Sequence, residues 1–220
     1  MTHEFKTPIA TITVSSDQLL KESTFQHPEK VQRYAQIIKD ESRRLKSQVD
    51  QILNIALLDS TRTKLKKNKI TFHELILNVV EKVQVRTNEK ACQIILALDA
   101  KQDTIVGDKD HLTNVIFNLI DNALKYSSTK PIITIRTFNK NQSLIIEIED
   151  NGIGIPKEYQ KMIFEKFYRV PTGNIHNIKG FGLGLSYVKK IVRMHGGRIE
   201  LSSSLGIGTI FRIILQINDL

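Results

Sequence analysis

Apolar positions between Phe5 and about Asp59 recur at helical spacing. Phe5, Ile9, Ile12, Leu19 and Leu20 mark one stretch, and Val31, Ile38, Leu45 and Ile52 follow at heptad intervals on the next. This spacing predicts two helices, with Ala35, Val49 and Ala56 beside the second stripe as bundle packing requires. His27-Pro28 supplies the break between them, because the residue before a proline avoids the helical region. Each stripe is narrow, and two such helices form a poor core alone, so a four-helix bundle assembled from two chains is the economical solution. A homodimer is expected.

The texture changes after a basic run, Arg62-Thr63-Lys64-Leu65-Lys66-Lys67-Asn68-Lys69, which reads as a solvated linker and domain boundary. Thr71-Phe72-His73-Glu74 has the spacing of a capping box ahead of Leu75-Ile76, so a helix should start there. Runs rich in β-branched residues predict strands at Cys92 to Leu98, Ile132 to Phe138, Leu144 to Glu149, Arg198 to Ser202 and Thr209 to Ile217, with helices at Asp110 to Leu124 and Leu183 to His195. The class is α+β. Short polar or glycine-bearing connections join the strand pairs at 132–149 and 198–217, so hairpins and a mixed sheet with helices on one face are expected rather than a doubly wound parallel sheet.

Composition narrows the choices. A chain of 220 residues, 40% hydrophobic and 25% charged, is an ordinary globular one, and no run approaches the roughly 18 apolar residues of a membrane span. The N-terminus lacks the apolar core of a secretion signal, and the single Cys92 cannot form an internal disulfide, which together favour a reducing cytoplasm, with Cys92 as buried filler. Thirty-two Lys and Arg against 23 Asp and Glu leave +9, compatible with nucleic acid, acidic lipid or a phosphorylated ligand. The densest basic run carries no aromatic residue for base stacking, so no nucleic-acid partner is expected.

Three groups of residues carry chemistry. In His3-Glu4-Phe5-Lys6-Thr7-Pro8, His3 and Thr7 share a helix face; an exposed imidazole is a nucleophile, the adjacent carboxylate can accept its proton, and the hydroxyl one turn on can position a water. Pro8 should bend the helix nearby. A frayed terminus with a surface histidine fits the same hexad. In Asn114 to Tyr126, the residues Asn118, Asn122 and Lys125 form one polar stripe; asparagine carbonyls ligate Mg²⁺ without adding charge beside phosphates, and the lysine can reach those phosphates. Mutually bonded buried asparagines fit as well. Glycine-bearing turns follow at Asp150-Asn151-Gly152-Ile153-Gly154, Gly180-Phe181-Gly182-Leu183-Gly184-Leu185 and Leu205-Gly206-Ile207-Gly208-Thr209. The second opens a helix, where amide donors and the helix dipole favour phosphate, while Asp150 can accept from an exocyclic amine such as that of adenine. Ile163 to Arg169 is an aromatic anchor, and the aperiodic stretch Val170 to Lys179 reads as a mobile lid.

In this order, the boxes resemble the transmitter region of a bacterial sensor histidine kinase over nearly the whole chain. His3-Glu4-x-x-Thr7-Pro8 resembles the phosphoacceptor box, Asn118 to Lys125 the N box, Asp150-x-Gly152-x-Gly154 and Gly180 to Leu185 the two glycine boxes, and Ile163 to Tyr168 the F box. The resemblance implies a dimeric helical-hairpin phosphotransfer domain (1–62), a hinge (63–69) and an ATP-binding α/β sandwich (70–220) of the gyrase, chaperone and mismatch-repair type. It further implies that His3 takes the γ-phosphoryl group, with Glu4 as its acid/base partner and Thr7 aiding a water in the phosphatase reaction. Asn118 and Asn122 would hold Mg²⁺ and phosphates with Lys125; Tyr126, Asp150, Gly152, Gly154 and Thr209 would line the adenine side; Arg169, Gly180, Gly182, Leu183, Gly184 and Leu185 would face the phosphate chain. The implied cofactors are ATP and Mg²⁺, and the implied partner is a response regulator receiver domain that accepts phosphate on an aspartate.

The chain begins two residues before His3, whereas the family's first helix starts upstream, so the sequence reads as the cytoplasmic part of a longer, membrane-bound sensor without membrane contact of its own. A helix whose reactive residue lies in its first turn has unsatisfied amides, from which weaker dimerisation and slower autophosphorylation follow. Two other readings are a regulator phosphatase that uses the same helix, and a dimeric scaffold. Intact His3, Asn122, Asp150 and Gly182 argue against the scaffold, and an ATPase of the chaperone type has no need of residues 1–60.

Overall fold

Contacts gather the chain into two units, one of Met1–Thr63 with Lys179–Leu183, the other of Lys64–Ile178 with Gly184–Leu220. The computed structural model describes residues 2–59, 65–87, 92–127, 130–171 and 181–217, with backbone alone at 2–4, 47–48, 50–59 and 86–87.

In the first unit, α1 (Thr2–Leu19) packs along α3 (Pro28–Asp59), joined by the short α2 (Glu22–Phe25). Proline opens α3 because its fixed φ suits a first helical turn, as the His27-Pro28 break implied. The connection is tied by Thr24, whose Oγ1 donates to the Gln18 carbonyl at 2.7 Å. The α1 backbone stays helical through Pro8, which is buried. Of the heptad stripe, Val31, Ile38 and Leu45 are half-buried, and Ile52 lies among residues described by backbone alone. Ile9, Val14 and Val49 remain 52%, 58% and 44% exposed, so this hairpin leaves apolar surface uncovered.

In the second unit, five strands run in the order β2-β4-β5-β7-β6: Gln93–Leu98, Ile132–Lys140, Ser143–Asp150, Gly208–Gln216 and Arg198–Ser204. The β2–β4 pair is parallel and the others antiparallel, which makes the mixed sheet with two hairpins that the spacing predicts. Alternation along the strands sends Ile133, Ile135, Ile146, Ile148 and Ile213 to one face, where they are fully buried with Leu112, Ile116, Leu119 and Ile120 of α5 (Lys109–Tyr126) and with Val188 and Ile191 of α6 (Gly184–Met194). On the opposite face, Arg136, Glu147, Arg212 and Glu200 stand in register across four strands, and Arg212 pairs with both Glu147 and Glu200.

Several details differ from the sequence reading. Asn68 and Lys69, placed in the linker on composition, belong to β1 (Asn68–Thr71), which pairs antiparallel with β3 (Thr104–Gly107). Four-residue strands carry too little alternation to be read, and their partner lies far along the chain. The helix expected after Thr71 is α4 (Phe72–Thr87), but its N-terminal amides are met from outside the capping box: the Asp103 carbonyl accepts from Phe72 N–H and the Asp103 carboxylate from His73 N–H. Cys92 precedes β2 and is half-buried rather than buried; burial pushes its thiol up, away from the reactive thiolate.

Candidate functional site

Asp108 starts α5. Its Oδ1 accepts from His111 N–H at 3.2 Å, the N-cap bond, and its Oδ2 accepts from the backbone N–H of Lys66 at 2.8 Å. Burial works to raise this carboxyl, but the backbone donors outweigh it and hold it below the usual carboxylate range. With one face of α5 in the core, the stripe Asn114, Asn118, Asn122 and Lys125 is left on the other. Asn118 Nδ2 donates to the Asn114 carbonyl at 2.7 Å, and Asn118 Oδ1 is turned toward the start of α6, where a Cβ built on Gly184 would lie 2.8 Å from it. Asn122 is half-buried, and Lys125 pairs with Asp121 one turn back at 2.5 Å.

A second group forms where β5 ends. Asp150 of β5 pairs in register with Thr209 of β7, which pairs in turn with Ser203 of β6, so the three lie in one cross-strand row on the helix-bearing face. Burial pushes the Asp150 carboxyl up, while the backbone N–H groups of Gly152 and Thr209 work the other way; the Gly152 bond to Oδ1 measures 2.8 Å. A Cβ at Gly152 would lie 2.7 Å from both Asp150 Oδ1 and the Tyr126 carbonyl, so only glycine leaves that space open. The Tyr126 carbonyl also accepts from Ile153 N–H at 3.0 Å, which fastens the end of α5 to this loop. Gly154 has φ +68° and abuts the Ser204 carbonyl, so the loop is seated on the β6–β7 turn.

Tyr126 is raised by burial; the Arg169 charge acts against this and that of Asp121 with it, which places Arg169 within electrostatic reach of the end of α5. The aromatic anchor holds by Phe164, whose ring meets Phe211 edge-on at 6.4 Å and lies under Lys189 Nζ at 5.5 Å. Next to Tyr126, Ser127 Oγ is buried without a hydrogen-bond partner.

The sequence-nominated residues thus fall into two places. Asn118, Asn122, Lys125, Tyr126, Asp150, Gly152, Gly154, Arg169, Gly184, Leu185 and Thr209 belong to the second unit, whereas His3, Glu4 and Thr7 lie on α1, with Thr7 exposed and only backbone described for the other two. Gly182 (φ +68°) and the buried Leu183 belong by contacts to the helical unit. Gly180 and residues 172–179 of the expected lid lie outside the described residues.

Sequence reasoning missed Ser203, Gln160, His195 and Tyr187. Ser203 Oγ accepts from Ile155 N–H at 2.8 Å, and Gln160 Nε2 donates to the carbonyls of both Ile155 and Ser203 at 2.9 Å, so the glycine loop is clamped to β6. The Tyr187 hydroxyl lies 2.9 Å from His111 Nδ1, and burial pushes its pKa to about 12. No local signal marks these residues, because each acts through a partner far along the chain.

A half-buried carboxylate over glycines at a strand end, together with asparagines on a helix of the same unit and a glycine-led helix start, defines a nucleotide-binding α/β sandwich. Residues 107–219 match the family described as Histidine kinase-, DNA gyrase B-, and HSP90-like ATPase, and residues 1–61 match the His Kinase A (phospho-acceptor) domain. The chain belongs to the sensor histidine kinases, as a transmitter region whose second part is the family's ATP-binding domain. It is similar to the sensor protein RprX of Bacteroides fragilis, with 43% identity over 99% of this chain and 42% of that protein, and to the sensor protein SrrB of Staphylococcus aureus, with 30% identity over 98% of this chain and 36% of that one. The chain therefore spans less than half the length of these curated relatives. Its fold is similar to full-length ShkA in complex with AMPPNP, with TM-score 0.76 and 24% identity over 99% of this chain and 45% of that one. Among the described residues, no helix is long and apolar enough to cross a membrane.

Proposed function

We propose that this chain binds ATP with Mg²⁺, transfers the γ-phosphoryl group to His3 and passes it to an aspartate of a response regulator receiver domain. One observation carries the reading: a phospho-acceptor domain and an ATPase domain lie in tandem on one chain, at 1–61 and 107–219. The domain bounds in this reading are 1–62 and, because Asn68 and Lys69 belong to β1, 68–220, with residues 63–67 as the hinge.

In the nucleotide site, Asp150 accepts from the adenine amine, with Gly152 and Gly154 leaving room for the flat ring and Tyr126 and Thr209 beside it. The amides of Gly184 and Leu185 at the start of α6 donate to the phosphates, with Arg169 adding charge on that side. The donor set suits Mg²⁺: the carbonyl oxygens of Asn118 and Asn122 would hold it, and Asn118 Oδ1 has room only because Gly184 lacks a Cβ. No cluster of three His, Cys, Asp or Glu gathers among the described residues, so phosphate and water oxygens would complete the shell. Held there, the metal would counter the negative charge of the phosphates. Lys125 exchanges its bond to Asp121 for phosphate, Glu4 accepts the proton from His3, and in-line attack follows from positioning rather than from a protein base at the phosphate.

Exposed Ile9, Val14 and Val49 support a dimer through the helical unit. Exposed Thr7, one turn from His3, supports a second activity in which water is directed at phosphorylated regulator. Incubation with γ-labelled ATP and Mg²⁺ tests the main reading. Acid-labile, alkali-stable label in the native chain, lost in His3→Gln and Asn122→Ala, is expected; label that persists in His3→Gln overturns the assignment of the phosphoacceptor.

A further inference from the structure

The row formed by Asp150, Thr209 and Ser203 permits a proton count. A serine hydroxyl has one proton and two lone pairs. Ser203 Oγ accepts from Ile155 N–H at 2.8 Å, lies 2.9 Å from the Gly208 carbonyl oxygen and lies 3.0 Å from Thr209 Oγ1. A carbonyl can only accept, so the arrangement that serves all three contacts sends the Ser203 proton to Gly208. The hydrogen bond between the two hydroxyls must then use the proton of Thr209, which saturates Ser203 and leaves Thr209 Oγ1 with lone pairs alone for anything in front of it. Sending the Ser203 proton to Thr209 instead deprives the Gly208 carbonyl of that donor, a loss for a buried residue. Gln160, bonded to the carbonyls of Ile155 and Ser203, keeps the loop and strand from sliding out of this arrangement.

Asp150, next in the row, presents a carboxylate whose own two backbone donors come from Gly152 and Thr209. The two hydrogens of an exocyclic amine can serve both acceptors, one going to Asp150 and one to Thr209, whereas a carbonyl oxygen in the same place meets two acceptors and none of the three is paired. We propose that Ser203 is a positioning residue for base selectivity: it fixes the Thr209 hydroxyl as an acceptor and thereby disfavours 6-oxopurine nucleotides against adenine nucleotides. Ser203 touches no ligand itself; it acts through Thr209. The proposal rests on the adenine-site reading of Asp150 given above.

Calorimetric titration of the 220-residue chain with ADP and with IDP, which carries a carbonyl where adenine carries the amine, tests it. Ser203→Ala frees the Thr209 proton to serve a carbonyl oxygen, so the ADP-to-IDP affinity ratio should fall by about tenfold, mainly through tighter IDP binding. Ser203→Thr retains the hydroxyl and should retain the ratio. Thr209→Val should lower the ratio, and the double variant Ser203→Ala with Thr209→Val should lower it no further than Thr209→Val alone. An unchanged ratio in Ser203→Ala, or additive effects in the double variant, overturns the proposal. Should Ser203→Ala fail to fold by circular dichroism, Thr209→Val reads the same hydroxyl, and an unchanged ratio there overturns it equally. Asp150→Asn separates the two layers: ADP affinity unchanged in that variant sinks the adenine-site reading, whereas ADP affinity lost there with the Ser203→Ala ratio unchanged sinks only the role of Ser203.

Discussion

His195 Nε2 accepts a hydrogen bond at 2.9 Å from the backbone N–H of Asp108, a residue 87 positions earlier that caps α5. The other ring nitrogen, Nδ1, lies 2.8 Å from the Ile191 carbonyl and so carries the proton, which makes the imidazole neutral. This pair joins the residue just after α6 to the start of α5, the two helices that carry Gly184 and Asn118. It makes stability depend on pH.

Burial depresses the His195 pKa, and the charges of Lys67 and His111 add to that, against Asp108 and the Ile191 carbonyl. A folded-state pKa below the unfolded value of about 6.5 gives stability that is present above that pH and lost as pH falls through the folded value. The urea midpoint should therefore decline between about pH 7 and about pH 5, and the decline should shrink in His195→Gln. An equally steep profile in His195→Gln would refute the assignment.

Asp108→Ala removes the cap of α5 and the acceptor for Lys66 N–H together. The expected cost is about 1–2 kcal/mol in urea unfolding, with Asp108→Asn closer to native because asparagine also caps well.

Two glycines with similar backbone angles should respond very differently. A Cβ at Gly154 (φ +68°) would collide with the Ser204 carbonyl, whereas one at Gly206 (φ +79°) meets nothing within 4 Å. Gly206→Ala should cost about 1–2 kcal/mol, the left-handed penalty alone. Gly154→Ala should cost more and abolish ADP binding measured by calorimetry, because the loop must leave the β6–β7 turn. Comparable losses in both variants would sink the distinction.

Gly184→Ala places a methyl group 2.8 Å from Asn118 Oδ1, at the first residue of α6, where alanine is a better helix former than glycine. The melting temperature should hold or rise, while the Mg²⁺-dependent part of ATP affinity falls by about tenfold, a loss of roughly 1.4 kcal/mol. A lower melting temperature with unchanged Mg²⁺ dependence would mean that Asn118 has no part in holding the metal.

The longer elements were legible because their periods repeat. α5 and α6 show apolar stripes of 3.6 residues, and β4, β5 and β7 show runs of β-branched residues bounded by turn signals. β1, β3 and α2, of four residues each, were not legible, since so short a segment holds one helical turn or two alternations of a strand. The capping box at Thr71 located α4 within a residue, yet the carboxylate that accepts from its His73 N–H is that of Asp103, which no spacing rule would pair with His73.

The candidate site divides along the same line. Asn118, Asn122, Asp150, Gly152 and Gly184 could be nominated from sequence, because each depends on its residue type within a local pattern: a helix face, a strand end, a turn or a helix start. Ser203, Gln160 and His195 could not, because their roles arise from strand register and from helix ends brought together by burial of the core. The amino-acid sequence by itself determined the α+β class and the order of the chemical boxes, both of which are short-range properties of the chain. Only the tertiary structure decided which hydroxyl orients Thr209, which carbonyl excludes a side chain at Gly154 and which ring joins α6 to α5, since hydrogen-bond direction and contact distance exist only once distant segments are packed together.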